Sequence, residues 1–129
     1  MNAIADTSVF VARETGHLLR VELLPDELGV SMVTVGEWRA GVLATSSAKI
    51  RARRLETLIE VLPLDPVPID ETVATKWTEL RIALREAGRR MPANDSWIAA
   101  TALALGVPVV TQDDDYDGVP GLDVIRVCQ

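Results

Sequence analysis

The feature that most constrains the fold of this chain is the alternation of short apolar segments with longer segments of helical spacing. The apolar segments predict strands at residues 1–5, 29–33, 107–111 and 122–127. Strands that alternate with helices are typical of an α/β layer fold with a largely parallel sheet. The chain has 129 residues, the usual length of a single domain. We therefore predict one α/β domain over residues 1–129, built on a mostly parallel sheet of four to five strands.

The helical segments differ in how they are expected to pack. Residues 34–44 carry small side chains on one side, and a helix after residue 70 has Asp70 as its N-cap. Residues 96–105 are apolar on nearly every side, which predicts a helix buried on more than one face. Residues 47–62 are predicted to turn an apolar stripe inward, and this stripe consists of Ala48, Ala52, Leu55, Ile59 and Leu62. The proline-rich segment 63–69 is predicted to be extended, with at most a very short strand.

Composition excludes several classes of protein. No apolar run reaches the roughly 20 residues that a membrane helix needs, and the N-terminus lacks the basic region of a secretory signal. Cys128 is the only cysteine, so an intrachain disulfide is excluded, which fits a reducing cytoplasm. The net charge of −6 argues against simple electrostatic binding of nucleic acid.

Acidic side chains follow two of the predicted strands. Asp6 comes directly after the first strand, and the run Asp113–Asp115 follows the strand at 107–111. The carboxyl ends of parallel strands meet at one edge of a sheet, so we expect these acids to lie together. Glu37, on the helix at 34–44, and Asp95, at the start of the buried helix, could both reach that edge.

Each of these acids also has an ordinary structural explanation. Asp6 could be a helix N-cap, Asp95 could add favourable charge to a helix capped by Asn94, and Glu37 could be a surface residue. The acidic run could be a solvated turn. Several like charges gathered at one edge, however, are costly unless a cation binds there. Only oxygen ligands are offered, which suits Mg²⁺ or Mn²⁺.

Four segments that contain these acids resemble, in order and spacing, the acidic motifs of the PIN-domain ribonucleases. The segments are ADTSVF (5–10), TVGEW (34–38), ANDSWIAATALALG (93–106) and VVTQDDDYDGVPGLDVI (109–125). The resemblance is greatest to the VapC toxins of bacterial toxin–antitoxin pairs and spans nearly the whole chain. It implies a three-layer α/β/α fold and a Mg²⁺-dependent endoribonuclease that cleaves RNA by metal-activated attack of water.

The resemblance also implies roles for particular residues. The catalytic and metal-binding acids would be Asp6, Glu37, Asp95 and Asp113, with Asp115 as a further metal ligand. The register of the last motif within Asp113–Asp115 stays open. Ser8 and Thr111 match small hydroxyl residues that support the carboxylates in this family.

Two runs of basic residues could grip the RNA backbone beside such a site. Arg81, Arg85 and Arg89 are spaced to form one stripe on a helix, and Lys49 to Arg54 form a second basic run. We take Arg85 and Arg89 as the candidate RNA-binding residues. The alternative is that both runs are solvated helix faces.

The resemblance further implies partners. We expect a VapB-type antitoxin whose basic tail places an arginine among the acids, a toxin homodimer, and RNA as substrate. Trp38 is either part of a groove for the antitoxin or a core residue. Two other functions remain open. One is a degenerate PIN-like interaction module without catalysis, and the other is a Mg²⁺-binding phosphoacceptor receiver. A receiver needs a lysine at the end of a late strand, whereas Lys49 and Lys76 lie on predicted helices.

Overall fold

The computed structural model describes residues 2–14, 27–62 and 66–127 of the chain. The predicted extended segment at 63–69 is therefore described only from residue 66, and Cys128 lies outside the described residues. Within this part of the chain, no helix is both long enough and apolar enough to cross a membrane.

The centre of the fold is a parallel sheet. Its strands are β1 (Ala3–Ala5), β2 (Leu28–Gly29), β3 (Val109–Thr111) and β4 (Val124–Arg126). They lie in the order β2-β1-β3-β4, and every pairing is parallel. A parallel bridge between Ser31 and Val67 adds a pairing next to β2, so the very short strand that was allowed for within residues 63–69 is one bridge residue, Val67, in the described part of that segment.

The helices account for most of the remaining described residues. They are α1 (Thr7–Glu14), α2 (Met32–Ala44), α3 (Ala48–Val61), α4 (Glu71–Glu86) and α5 (Ala93–Leu105). The predicted N-cap of α4 is confirmed, since the Asp70 carboxylate accepts the backbone N–H of Val73 at 2.9 Å. Gly106 ends α5 in the left-handed conformation, with φ of 66°.

The helices cover both faces of the sheet. Neighbouring residues of β1 point to opposite sides, as a strand requires. Ile4 packs with α4 and α5 residues such as Leu84 and Ile98, whereas Ala5 packs with Trp38 on α2 and other residues of the opposite layer. The three-layer α/β/α arrangement is thereby confirmed.

Two predicted boundaries are wrong because helices α2 and α5 begin earlier than predicted. Helix α2 begins after a capping side chain, and α5 begins after a proline. The strand predicted at 29–33 ends at Gly29, since the Ser31 hydroxyl accepts the N–H of Val33 at 3.1 Å and caps α2. The prediction of Asn94 as an N-cap is also wrong. Helix α5 begins at Ala93 after Pro92, which puts Asp95 inside its first turn.

The predicted inward face of α3 is wrong as well. The buried side chains of this helix are Thr57, Leu58 and Val61, whereas Leu55 and Ile59 are 42% and 67% exposed. On the neighbouring helix α2, Leu43 is 82% exposed. We use the name α2–α3 apolar surface for these three exposed side chains, Leu43, Leu55 and Ile59.

Trp38 belongs to the core rather than to a groove. Its ring is buried among the side chains of the α2 and α3 layer. Its indole N–H donates to the backbone carbonyl of Arg54 at 2.8 Å, so the polar end of the ring is satisfied inside the protein. Of the two roles predicted for Trp38, the structural one is confirmed.

Candidate active site

Asp6 lies at the carboxyl end of β1 and is only 2% exposed. A carboxylate with so little access to water needs hydrogen-bond donors from the protein. One of its oxygens, Oδ2, accepts the hydroxyls of Ser8 at 2.7 Å and Thr111 at 2.9 Å. The supporting positions predicted for Ser8 and Thr111 are therefore beside the carboxylate that they were expected to hold.

The third donor to Asp6 is Tyr116, which the sequence analysis missed. Its hydroxyl donates to Asp6 Oδ1 at 3.0 Å, and its ring is fully buried. Burial and the negative charges of Asp6 and Asp95 raise the pKa of Tyr116 well above its usual range, so the hydroxyl keeps its proton as a donor. The sequence signal that could have identified Tyr116 was its position as an aromatic residue inside an acidic loop. A large aromatic ring is expected in such a loop only if it turns into the core.

Backbone and side-chain bonds join the acidic loop to the start of α1. The Gln112 amide donates to the Ser8 carbonyl at 3.0 Å. The N–H of Asp113 donates to Thr111 Oγ1 at 3.0 Å. Thr111 thus holds Asp6 and the beginning of the Asp113–Asp115 run at the same time.

Glu37 reaches the same edge through Thr7. The Thr7 hydroxyl donates to Glu37 Oε1 at 2.9 Å and lies 3.1 Å from the hydroxyl of Thr34. Because Thr7 follows Asp6 directly, this bond ties α2 to the end of β1. Thr7 is a second residue of the site that sequence reasoning did not identify.

The carboxyl groups of Asp95 and Asp115 lie close to each other. Burial, the neighbouring Asp115 carboxyl group and the charge of Asp6 together raise the pKa of Asp95 to about 7. In the metal-free protein, Asp95 is therefore largely protonated below neutral pH.

The acids of the loop at 113–117 separate into two groups. Burial and the charges of Asp6, Asp115 and Asp114 raise the pKa of Asp113, so Asp113 lies within the field of the other acids. Asp114 is exposed. Asp117 is bound to Arg126 at 2.7 Å, on the surface. Asp113 thus lies near Asp6, and Asp115 lies near Asp95.

The chemistry of this edge fits a hard divalent cation. The groups gathered there are carboxylate and hydroxyl oxygens. Burial and the neighbouring carboxylates raise the pKa of Asp95 and Asp113, and a bound cation would oppose both effects by favouring the charged forms. As the side chains of the described residues now lie, no three acidic, histidine or cysteine groups are close enough to hold one ion. Binding a metal would therefore require the carboxylates to move closer together and Asp95 to give up its proton.

Helix α5 is anchored near Asp95 by two tryptophans. The rings of Trp77 on α4 and Trp97 on α5 stack with centroids 4.3 Å apart. The Trp77 indole N–H also donates to Ser96 Oγ at 3.0 Å. These contacts fix the first turn of α5, which carries Asp95, against α4.

The predicted stripe of arginines is only partly helical. Arg81 and Arg85 are exposed on α4, but that helix ends at Glu86, and Arg89 follows the left-handed Gly88. Arg89 is partly buried, and its guanidinium donates to the backbone carbonyl of Asp115 at 3.0 Å. The helical spacing predicted for Arg89 is thus wrong, although the residue contacts the backbone of the acidic loop.

The parallel sheet and its acidic edge agree with a known domain family, the PIN domain. The family model of the PIN domain matches residues 3–122, which include every candidate acid described above.

Two similar proteins show to which group within the PIN-domain family the chain belongs. Ribonuclease VapC5 of Mycobacterium tuberculosis is 46% identical over 127 residues, covering 96% of this chain and 94% of that protein. Ribonuclease VapC4 of the same organism is 46% identical over 125 residues, covering 97% and 96%. The chain therefore belongs to the VapC group of the PIN-domain family.

Solved structures agree with this assignment. The crystal structure of VapBC-5 from M. tuberculosis, a member of the VapBC family of toxin–antitoxin systems, superposes with a TM-score of 0.89 at 44% identity. The match covers 98% of both chains. DNA-bound VapBC from Salmonella typhimurium has a TM-score of 0.81 at 18% identity, which shows a shared fold alone.

Replacing Tyr116 by Phe should impair the site while preserving the buried ring. Asp6 would lose one of its three hydroxyl donors, and an acceptor left unsatisfied in the interior costs about 1–3 kcal/mol of folding free energy. We expect binding of Mn²⁺, measured by calorimetry, to weaken by roughly 10- to 100-fold, as is common when a residue that supports a metal ligand is changed. Val119→Ala, in the same loop, is the control for lost packing. Equal Mn²⁺ affinity in Tyr116→Phe and the parent protein would contradict the role given to the hydroxyl.

Proposed function

We propose that this chain is a Mg²⁺-dependent endoribonuclease and the toxin of a VapBC-type toxin–antitoxin pair, acting in the cytoplasm. The observation that carries the proposal is the buried Asp6 carboxylate, which three hydroxyls hold at a strand end beside Asp95, Asp113 and Asp115. The names of the VapC5 and VapC4 relatives, both called ribonucleases, support the same activity.

The residues that would hold the metal are Asp6, Glu37, Asp95, Asp113 and Asp115. Bound Mg²⁺, or Mn²⁺ in its place, would supply positive charge that offsets the phosphodiester and lowers the pKa of water. Without such charge, an acidic edge would repel RNA.

Other residues of the site orient the carboxylates or change their protonation. Ser8, Thr111 and Tyr116 orient Asp6, so that its carboxylate is placed before substrate arrives. Thr7 orients Glu37 from the adjacent position. Asp95 loses its proton near neutral pH, which frees both Asp95 and Asp115 to accept positive charge.

The two alternative functions are less well supported. A degenerate interaction module would not need to keep a repulsive cluster of Asp6, Asp95, Asp113 and Asp115 at one edge. A phosphoacceptor receiver would need a lysine beside these acids, whereas Lys49 lies on α3 and Lys76 on α4, where it pairs with Glu79.

An antitoxin and a second toxin copy are the proposed protein partners. The structures of VapBC complexes that resemble this chain support an antitoxin of the VapB type. The α2–α3 apolar surface offers exposed side chains that a partner could cover. A basic antitoxin tail could place a guanidinium against two of the carboxylates at the acidic edge and so compete with the metal.

Cleavage of RNA should depend on the metal and on particular acids. Purified protein with Mg²⁺ should cut total cellular RNA at sites that can be mapped from the 5′ ends of the fragments, and EDTA should stop it. Asp6→Asn and Asp95→Asn should lower the cleavage rate by at least about 10³-fold, since each removes a charged metal ligand but keeps the shape.

Asp114→Asn is the matched control within the acidic run, because Asp114 is exposed. It should cut at close to the parent rate, whereas Asp113→Asn and Asp115→Asn should not. Parent-like cleavage by both Asp6→Asn and Asp95→Asn would show that the site is assigned wrongly.

The antitoxin proposal can be tested by co-expression with the small open reading frame that adjoins this gene. The neighbouring product should co-purify with the chain and restore the growth of cells that express it. Changing Leu43 and Ile59 to Ser should weaken co-purification, because both side chains belong to the α2–α3 apolar surface.

Leu105→Ser is the control, since Leu105 is 45% exposed at the end of α5, outside that surface. The toxin proposal fails if no neighbouring product co-purifies and expression of the chain alone leaves growth unchanged.

A further inference from the structure

A basic cleft lies beside the end of α4. Its volume is about 630 Å³, and its lining includes Arg81, Arg85, Arg89 and Arg90 together with the apolar side chains of Ile82 and Met91. None of the described acidic residues lines it. In a chain whose net charge is −6, this cleft is a local concentration of positive charge.

The charges of the cleft are not neutralised within the described part of the protein. Arg85 and Arg90 have no acidic side chain within ion-pair distance among the described residues, and Arg81 lies over the ring of Trp77 at 5.3 Å. Like charges held close together repel one another unless an anion is shared between them. The cleft therefore fits a ligand that carries several negative charges.

Arg89 connects the cleft to the acidic loop. Its Nη2 donates to the Asp115 carbonyl at 3.0 Å. Its Nη1 lies next to Gly118, where a Cβ atom on residue 118 would be only 3.2 Å from that nitrogen. Gly118 also has a φ of 74°, a backbone conformation that favours glycine. The backbone of the loop is thus shaped around the guanidinium. Asp115 has its carbonyl against Arg89 and its carboxyl group against Asp95.

The placement of the cleft favours a nucleic-acid strand over an acidic polypeptide. A strand whose scissile phosphate lies at the acidic edge has further phosphates on either side, and the carboxylates repel them. Arg89 contacts the backbone of the acidic loop, so the cleft that it lines adjoins that loop. The guanidinium groups of the cleft would bind those neighbouring phosphates with the fork geometry that arginine offers.

We propose that this cleft binds the phosphates of the RNA strand next to the bond that is cut, and that Arg89 is a positioning residue that holds the Asp115 loop from the cleft side. This inference rests on the proposed ribonuclease function. It adds a substrate-binding site and joins that site to the metal-binding loop through one side chain.

The first test measures RNA binding in EDTA, where no cleavage occurs. The fluorescence anisotropy of a labelled single-stranded RNA is followed between about 50 and 200 mM salt. Arg85→Ala combined with Arg90→Ala should raise Kd about tenfold and reduce the salt slope by about 1–2. The double variant Arg39→Ala, Lys76→Ala removes the same charge from α2 and α4 outside the cleft and should leave both quantities unchanged.

The second test separates binding from positioning by means of Arg89. Arg89→Lys keeps the charge but loses the planar fork, so RNA binding should weaken less than in Arg89→Ala. Its cleavage rate at saturating RNA and Mg²⁺ should nevertheless fall about tenfold, because the Asp115 carbonyl loses its donor. Arg89→Ala should impair both Kd and the saturated rate. A purely structural role would instead change folding stability, which denaturant unfolding of each variant measures.

The outcomes distinguish this inference from the proposed function. If the parent protein fails to cut RNA with Mg²⁺, the proposed function fails, but the binding measurement in EDTA still decides whether the cleft takes RNA. Unchanged RNA affinity and salt slope in the Arg85, Arg90 variant would overturn the inference. If that variant instead loses co-purification with the antitoxin, the cleft is a protein-binding site and the RNA assignment is wrong.

Discussion

The structure depends on one buried charge. Asp6 ends the central strand β1 almost without access to water, so the protein itself must solvate the carboxylate. Its donors come from three places along the chain: Ser8 in α1, Thr111 at the end of β3 and Tyr116 in the acidic loop. Keeping these bonds requires the parallel pairing of β1 with β3 and the inward turn of the loop. The hydrogen bonds that hold Asp6 in the candidate site therefore also join β1 to α1, β3 and the acidic loop.

The sequence predicted those parts of the site that follow from strand ends. Asp6 and the acidic run could be placed at one edge because parallel strands finish on the same side of a sheet. Tyr116 and Thr7 could not be found in this way, since their roles depend on where their hydroxyls point after folding. The face of α3 was mispredicted for a similar reason. Leu55 and Leu58 both lie on apolar stripes, and only packing against α2 decides which of them is buried.

Net charge alone does not show which surfaces could bind an anion, because it does not say where the charges lie. The chain is acidic overall, yet it collects arginines in one cleft and carboxylates at the adjoining edge. Arg89 lies where these two regions meet and bonds to the backbone of the acidic loop. An arrangement of this kind would hold a phosphate strand by its neighbouring phosphates while a cation binds at the acids.

The central claim, that the carboxylates are held together for a cation, is tested most directly by thermal unfolding with and without Mg²⁺. In the folded state, the pKa of Asp95 is raised from an ordinary value near 3.8 to about 7. Between these two pH values, the Asp95 carboxyl group keeps its proton in the folded metal-free protein but loses it in the unfolded chain. The stability of the metal-free protein should therefore fall as the pH rises from about 4 to 7. In EDTA at pH 8, Asp95→Asn should melt a few degrees above the parent protein, whereas Asp123→Asn, an exposed control, should not. Mg²⁺ should raise the Tm of the parent and change that of Asp95→Asn little. A lower Tm for Asp95→Asn in EDTA, together with no effect of Mg²⁺ on the parent, would contradict the account.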